Sequence, residues 1–244
     1  MENMISGCDV SHWQGLIDWK QVKNDNIGFA IIKSSEGDYI TDSYLGANIT
    51  GCQQNDIPFS VYHYLRANTV AEAVNESNFF LSILEQIGFE NLGFMPFVDV
   101  ETIGAANFSR DVTSAMTKEF IDNIESKTGI RCGIYSFPYY ITNYMDERLA
   151  EYDLWIASYT DHVNMPIGPW SKYWCWQYSD KAQVKGIGIV DGNKMEAENL
   201  HKLSKEDANK LIAILQGLHS AGFDQEQAHY LANEVRKAAG LPTT

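Results

Sequence analysis

Two carboxylates separated by a single residue, Asp99 and Glu101, are the sharpest chemical feature of the sequence. At spacing two on a β-strand both side chains point to one face, with Cα atoms roughly 6.5–7 Å apart. Carboxyl groups that close resist ionising together, so one keeps its proton to higher pH. A carboxylic acid still protonated near neutrality can donate to a glycosidic oxygen. The triplet itself is common by chance. The apolar run Phe94-Met-Pro-Phe-Val98 that leads into it reads as a buried strand, and this gives the pair its weight. Asp9 and Asp191 also close apolar runs. Taken singly, each reads as a cap or turn residue: Ser11 and Gly15 follow the first, and Gly192-Asn193, a turn signal, follows the second. Gathered at one mouth, they would shape the charge around Glu101. Asp18 reads as a helix cap.

Other polar residues close similar runs: Lys33 and Glu36, then Tyr62, His63 and Tyr64, then Tyr135, Tyr159, and Trp176, Gln177 and Tyr178. Acids for proton transfer and aromatic faces for sugar rings are the composition of a carbohydrate cleft. Tyr62, Tyr64, Tyr135, Trp176, Gln177 and Lys33 are the candidate substrate contacts. Neighbouring strand residues face opposite ways, so Trp176, Gln177 and Tyr178 cannot all face the cleft. His63 reads equally as a cleft residue and as a hydrogen-bonded structural histidine. The histidines show no H-E-x-x-H or comparable spacing, and no metal or cofactor is expected.

To converge, these residues need a scaffold that brings strand ends together. Eight strand-like runs qualify: Ile5–Val10, Phe29–Ser34, Pro58–Leu65, Phe94–Val100, Arg131–Phe137, Asp153–Tyr159, Tyr173–Tyr178 and Gly188–Asp191. Helical stretches separate several of them, at Trp19–Lys23, Ala71–Ile87 and Val112–Thr128. Alternating strands and helices predict a parallel sheet. Eight strands predict an α/β fold in which a TIM-like β/α barrel gathers its active site at the C-terminal ends of the strands. The later connections are short, so the barrel should be irregular. Residues 1–199 form this unit, and residues 200–244 read as a small helical hairpin. In its first helix, after Ser204, Ala208, Leu211, Ile212, Leu215 and Leu218 share a face. In its second, after Asp224, Ala228, Leu231, Ala232, Val235 and Ala238 do. About 40 residues cannot hold a core alone. The hairpin must cover the barrel, a partner or a second copy, and a four-helix homodimer contact is the expectation.

Composition narrows the partners. The chain has 244 residues, 45% of them apolar and 20% charged, as in a globular protein. Its formal net charge is −14 with no Lys/Arg cluster, which argues against nucleic acid and against anionic membranes. Cys8, Cys52, Cys132 and Cys175 match no disulfide or metal spacing and read as buried thiols. Met1–Gly7 does not read as a secretory signal, so the expectation is synthesis in the cytoplasm and action on the cell wall after release.

The motifs in order resemble glycoside hydrolase family 25, the Chalaropsis-type lysozymes. Gly7-Cys-Asp-Val-Ser-His-Trp-Gln-Gly15 with Ile17-Asp-Trp19, Phe29-Ala-Ile-Ile-Lys-Ser-Ser-Glu-Gly37, Tyr62-His-Tyr64, Phe97-Val-Asp-Val-Glu101, Ile134-Tyr135, Trp176-Gln-Tyr178 and Val190-Asp191 carry the likeness. The resemblance implies hydrolysis of the β-1,4 bond between N-acetylmuramic acid and N-acetylglucosamine in bacterial peptidoglycan. It places Glu101 in the acid position, with Asp99, Asp9 and Asp191 as the matching acids, and it fits a phage endolysin that lyses its host. Two routes remain open: attack by a carboxylate to give a covalent intermediate, or attack by the substrate's own N-acetyl oxygen with Asp99 holding that group. The D-x-E spacing favours the second, because it sets the second acid beside the first rather than across the sugar. The rival readings are a virion-borne, wall-penetrating lysozyme and a sugar-binding barrel without catalysis. The tail shows none of the wall-binding repeats common in the family.

Overall fold

A computed structural model describes residues 4–101, 109–200, 205–222, 224–239, 241 and 243. The apolar runs become strands and the helical-period stretches become helices. In chain order they are β1 (Met4–Val10), α1 (Trp19–Asn24), β2 (Phe29–Glu36), β3 (Ile40–Thr41), α2 (Leu45–Gln54), β4 (Phe59–Tyr64), α3 (Val70–Ile87), β5 (Phe97–Asp99), α4 (Arg110–Thr128) and β6 (Gly133–Ser136). There follow α5 (Pro138–Tyr144), β7 (Leu154–Ala157), β8 (Cys175–Val184), β9 (Gly188–Glu196), α6 (Lys205–Ser220) and α7 (Gln225–Ala238). Side-chain caps set several starts. Asp18 accepts from Gln21 N–H at 3.1 Å, as expected, and Thr69 and Ser109 cap α3 and α4 in the same way. Sequence reasoning missed α2 and α5. The first has no side-chain cap and buries only Leu45, Asn48 and Cys52, and the second is a seven-residue, tyrosine-rich turn whose composition favours strand.

Eight strands close into a barrel in the order β1, β2, β4, β5, β6, β7, β8, β9, and β3 is a short antiparallel flap on β2. The sheet is not parallel throughout, as strand–helix alternation predicts. β9 runs antiparallel to both β8 and β1. Only Lys185–Ile187 separates β8 from β9, and a parallel crossover needs a dozen residues or more. The result is a long hairpin, and its tip takes the place of an outer helix. Asp18 N–H donates to Gly186 O at 3.0 Å, and Val184 and Ile187 join Trp19 and Val22 of α1 in the core.

Strand alternation divides the apolar side chains into two layers. Ala30, Ile32, Val61, Val98, Ile134 and Ile156 face outward to the helices, where Phe80, Leu84, Phe120 and Ile124 meet them. Phe29, Ile31, Phe97, Trp155, Cys175 and Met195 face inward and plug the barrel. The plug needs room from its neighbours. A Cβ on Gly7 would lie 2.4 Å from the Phe29 ring, and one on Gly133 would lie 2.5 Å from the Phe97 ring. All four cysteines are free and buried. Among the described residues no helix is long and apolar enough to cross a membrane.

In the tail, Ala208, Ile212, Ala228 and Ala232 are buried. Leu211, Ile214, Leu218, Tyr230 and Leu231 are exposed, so the expected single apolar face is split. Asp224 caps α7 through Gln227 N–H at 3.0 Å. Ser204, which precedes the first helix of the tail, lies outside the described residues.

Candidate active site

The parallel strands end on one rim, and β9, running the other way, starts there. Asp191 therefore reaches the mouth from the first half of β9, not from a strand end. Gly192-Asn193, which reads as a turn, lies inside the strand. Asp191 is the cross-strand partner of Asp9 on β1, and the two carboxyls share a hydrogen bond.

Around Asp9 the inward residues of four strands form a connected network. Asp9 Oδ2 accepts from Gln177 Nε2 at 2.9 Å and from Asn193 Nδ2 at 2.6 Å. Gln177 Oε1 accepts from the hydroxyls of Tyr135 at 3.0 Å and Tyr159 at 2.9 Å. Asn193 Oδ1 accepts from the Trp155 indole N–H at 2.8 Å. Trp155 is the floor of the site, with the Tyr135 ring centroid 4.5 Å and the Tyr62 centroid 5.9 Å away. Sequence reasoning missed Trp155 and Asn193. Inward alternation along β7 was the signal for the first, and the Gly-Asn turn signal concealed the second.

Asp99 and Glu101 stand on the other side of the mouth, beyond Tyr64 and Tyr135, which are register partners of Asp99. Asp99 is buried, and its Oδ1 has no hydrogen-bond partner. Burial, then the charge of Glu101, holds Asp99 well above the ordinary carboxylate range, and Lys33 opposes them. Burial likewise raises Glu101, again opposed by Lys33. Lys33 comes from a bulge in β2 between Lys33 and Ser35. The extra residue brings Lys33 and Glu36, three apart, to the same side of the strand. Their ion pair is 2.5 Å long, Arg66 also binds Glu36, and both cations lie over the Tyr64 ring at 5.1 and 5.7 Å.

Three of the candidate residues lie elsewhere. His63 is buried on the outer face, hydrogen-bonded to Ser35 Oγ at 2.8 Å and Glu76 Oε2 at 3.0 Å and stacked on Phe120, so it is structural. Trp176 and Tyr178 alternate with the inward Gln177 and face the outer layer, where Lys194 lies over both rings. Trp176 is therefore not brought together with the acids, against the expectation that it touches substrate.

The shift of Asp9 is large enough to affect stability. Burial, then Asp191, pushes it from the usual 3.8 up to about 8, against the Asn193 and Gln177 hydrogen bonds. The folded state therefore holds a proton that the unfolded chain releases above pH 3.8, and this stabilisation is lost as pH rises toward 8. Asp9→Asn keeps an acceptor for both donors and removes the titration. Thermal unfolding of the variant across that pH window should be flatter than wild type, and a slope equal to wild type would contradict the assignment.

The family model for glycosyl hydrolases family 25 matches residues 8–187. The chain belongs to that family. The match of this family 25 lysozyme runs from within β1 to the link after β8, and β9 follows it directly. Uncharacterized protein YegX of Escherichia coli O157:H7 is 32% identical over 195 residues, covering 78% of this chain and 68% of its own. Lysozyme M1 of Streptomyces globisporus is 29% identical over 200 residues, covering 78% of this chain and 67% of its own. A bacterial lysozyme structure from Streptomyces coelicolor superposes with TM-score 0.71 at 25% identity, covering 83% of this chain and 98% of that one. The barrel expected from the sequence is therefore the barrel of the family, with the α6–α7 hairpin after the matched segment.

Proposed function

We propose that this family 25 lysozyme cuts the β-1,4 bond from N-acetylmuramic acid to N-acetylglucosamine in peptidoglycan, with Glu101 as its acid. The observation that carries the proposal is the pair of acids at the mouth. Glu101 is half-buried and held toward its protonated form, beside a buried Asp99 with an unpartnered oxygen. Glu101 protonates the leaving oxygen. The N-acetyl carbonyl of the muramic acid attacks the anomeric carbon as the glycosidic bond breaks. Its amide N–H, gaining positive charge, donates to Asp99 Oδ1. Water then opens the resulting ring and returns the proton to Glu101. A donor on Oδ1 favours the charged form of Asp99, so substrate binding itself ionises the group that must carry charge. Tyr62, Tyr64, Tyr135 and Lys33 are the proposed substrate contacts, while Gln177 holds Asp9 and the two tyrosine hydroxyls. Mass spectrometry of the fragments released from purified peptidoglycan tests the bond assignment. The biological setting we propose is an endolysin. Lysis of host cells from within, on expression together with a membrane-permeabilising protein, is the expected result, and intact cells would contradict it.

The tail is proposed as a dimer contact. Residues 200–244 carry five basic and five acidic residues, so the charge of −14 belongs to the barrel segment. Two barrels repel, and two neutral tails do not. The exposed Leu211, Ile214, Leu218, Tyr230 and Leu231 supply the apolar area. Light scattering should give a dimer for the full chain and a monomer for a chain ending at Asn199. Monomers in both cases would contradict it.

A further inference from the structure

Four aromatic side chains of the barrel are exposed to solvent among the described residues: Trp13 at 81%, Tyr39 at 78%, Tyr139 at 66% and Tyr159 at 54%. All four lie on segments that leave the C-terminal ends of strands, which is the rim that carries the acids. The opposite rim has none among the described residues. Exposed rings gathered on the rim that carries the acids, with none on the other, point to a ligand.

Trp13 and Tyr39 follow β1 and β2, which are neighbours in the ring of strands, and Tyr139 and Tyr159 follow β6 and β7, which are also neighbours. In the closed order of eight strands, β1 lies opposite β6 and β2 opposite β7. Asp99 ends β5 and Glu101 follows it, and Asp191 stands on β9, directly across the ring. The aromatic diameter therefore crosses the acidic one.

The segment under Trp13 is built to hold it still. Ser11 and Gln14 form a reciprocal capping box around the turn, and the Ser11 hydroxyl accepts from Trp13 N–H. His12 packs against the indole, with ring centroids 4.8 Å apart. His12 is itself anchored twice to the buried Asp42 Oδ2, through its backbone N–H at 3.0 Å and its Nδ1 at 2.8 Å. Asp42 directly follows β3, so this clamp ties the segment of Trp13 to the flap beside Tyr39. At the other end, Tyr159 is fixed through its hydroxyl to Gln177.

We propose that the glycan strand lies along the β1/β2 to β6/β7 diameter, stacked on Trp13 and Tyr39 at one end and on Tyr139 and Tyr159 at the other, so that its middle crosses the acids. The proposal rests on the muramidase reading and adds to it where the polymer runs and what holds it beyond the bond that is cut. The ligand is a chain of N-acetylhexosamines, whose apolar ring faces match flat aromatic surfaces. A membrane surface does not fit a chain of charge −14.

The test is the length dependence of binding. Peptide-free glycan strands, long ones and a tetrasaccharide, are titrated against the full chain carrying Glu101→Gln so that nothing is cut. With Trp13→Ala or Tyr139→Ala added, the ratio of long-strand to tetrasaccharide affinity should fall by about 2- to 10-fold for each platform removed, the usual worth of an aromatic contact. Trp13→Phe, which keeps a ring, should recover most of it. An unchanged ratio, whether through no loss at all or equal loss at both lengths, overturns the proposal. Cleavage of the same strands by the unsubstituted protein reports separately on the muramidase reading. Strands bound with the expected length dependence but never cut would remove that reading and leave the platforms. Strands cut normally with an unchanged ratio would remove the platforms and leave the reading.

Discussion

Glu101→Gln should lower turnover on peptidoglycan by about 10²–10⁴-fold, the usual contribution of a general acid, with KM nearly unchanged. The substitution keeps the shape of the side chain and removes only the proton. Because Glu101 is half-buried and its charge is disfavoured by burial, the amide should be tolerated by the fold. Unfolding curves that match wild type, together with the loss of turnover, separate a chemical defect from a structural one. Together with Asp99, the same group sets the alkaline limb of the pH profile, where the pair loses its last proton. A carboxyl raised above its ordinary range stays protonated to higher pH, and activity is lost as pH rises through that raised value. A folded Glu101→Gln protein with near-normal turnover would remove Glu101 from the role.

Asp99→Asn should cost about 10²–10³-fold in turnover, the scale found when one group that faces transition-state charge is removed. The neutral amide still offers an oxygen to the N-acetyl N–H, but it cannot balance the positive charge that grows there. Here the pH dependence carries more information than the rate. Asp99 must be ionised to act, and in the free protein burial and Glu101 hold it well above the carboxylate range. As pH falls the Asp99–Glu101 pair takes up its second proton and activity is lost, which appears as the acid limb of kcat/KM. Once substrate donates to the unpartnered Oδ1, the ionised form is favoured, and the acid limb of kcat should lie at lower pH than that of kcat/KM. Coincident limbs in the wild type, or an Asp99→Asn variant that keeps them, would contradict a charged Asp99 holding the N-acetyl group.

The sequence displays this site unevenly, for physical reasons. Asp9, Asp99 and Glu101 are legible because each terminates a buried apolar run on a parallel strand, and such ends meet at one rim of a barrel. Asp191 is legible as a residue but not in its placement. A hydrophobic run carries no direction, and only the three-residue link at Lys185–Ile187 forces β9 to run backward. That reversal also hides Asn193, whose neighbouring glycine serves close packing against Tyr178 rather than a turn. Trp176 is misplaced in the sequence by one step of strand alternation. The register of β8 is fixed by Gln177, whose amide must reach Asp9, and this sends both flanking aromatics outward. The bulge that sets Lys33 and Glu36 side by side leaves no mark in the local sequence, since serine fits a regular strand as well as a bulge.

The reducing ends of the products report which bond is cut. Purified peptidoglycan digested with the protein, reduced with borohydride and analysed by mass spectrometry should yield muropeptides ending in reduced muramic acid, with no free stem peptides. Fragments ending in reduced glucosamine, or liberated peptides, would contradict the account.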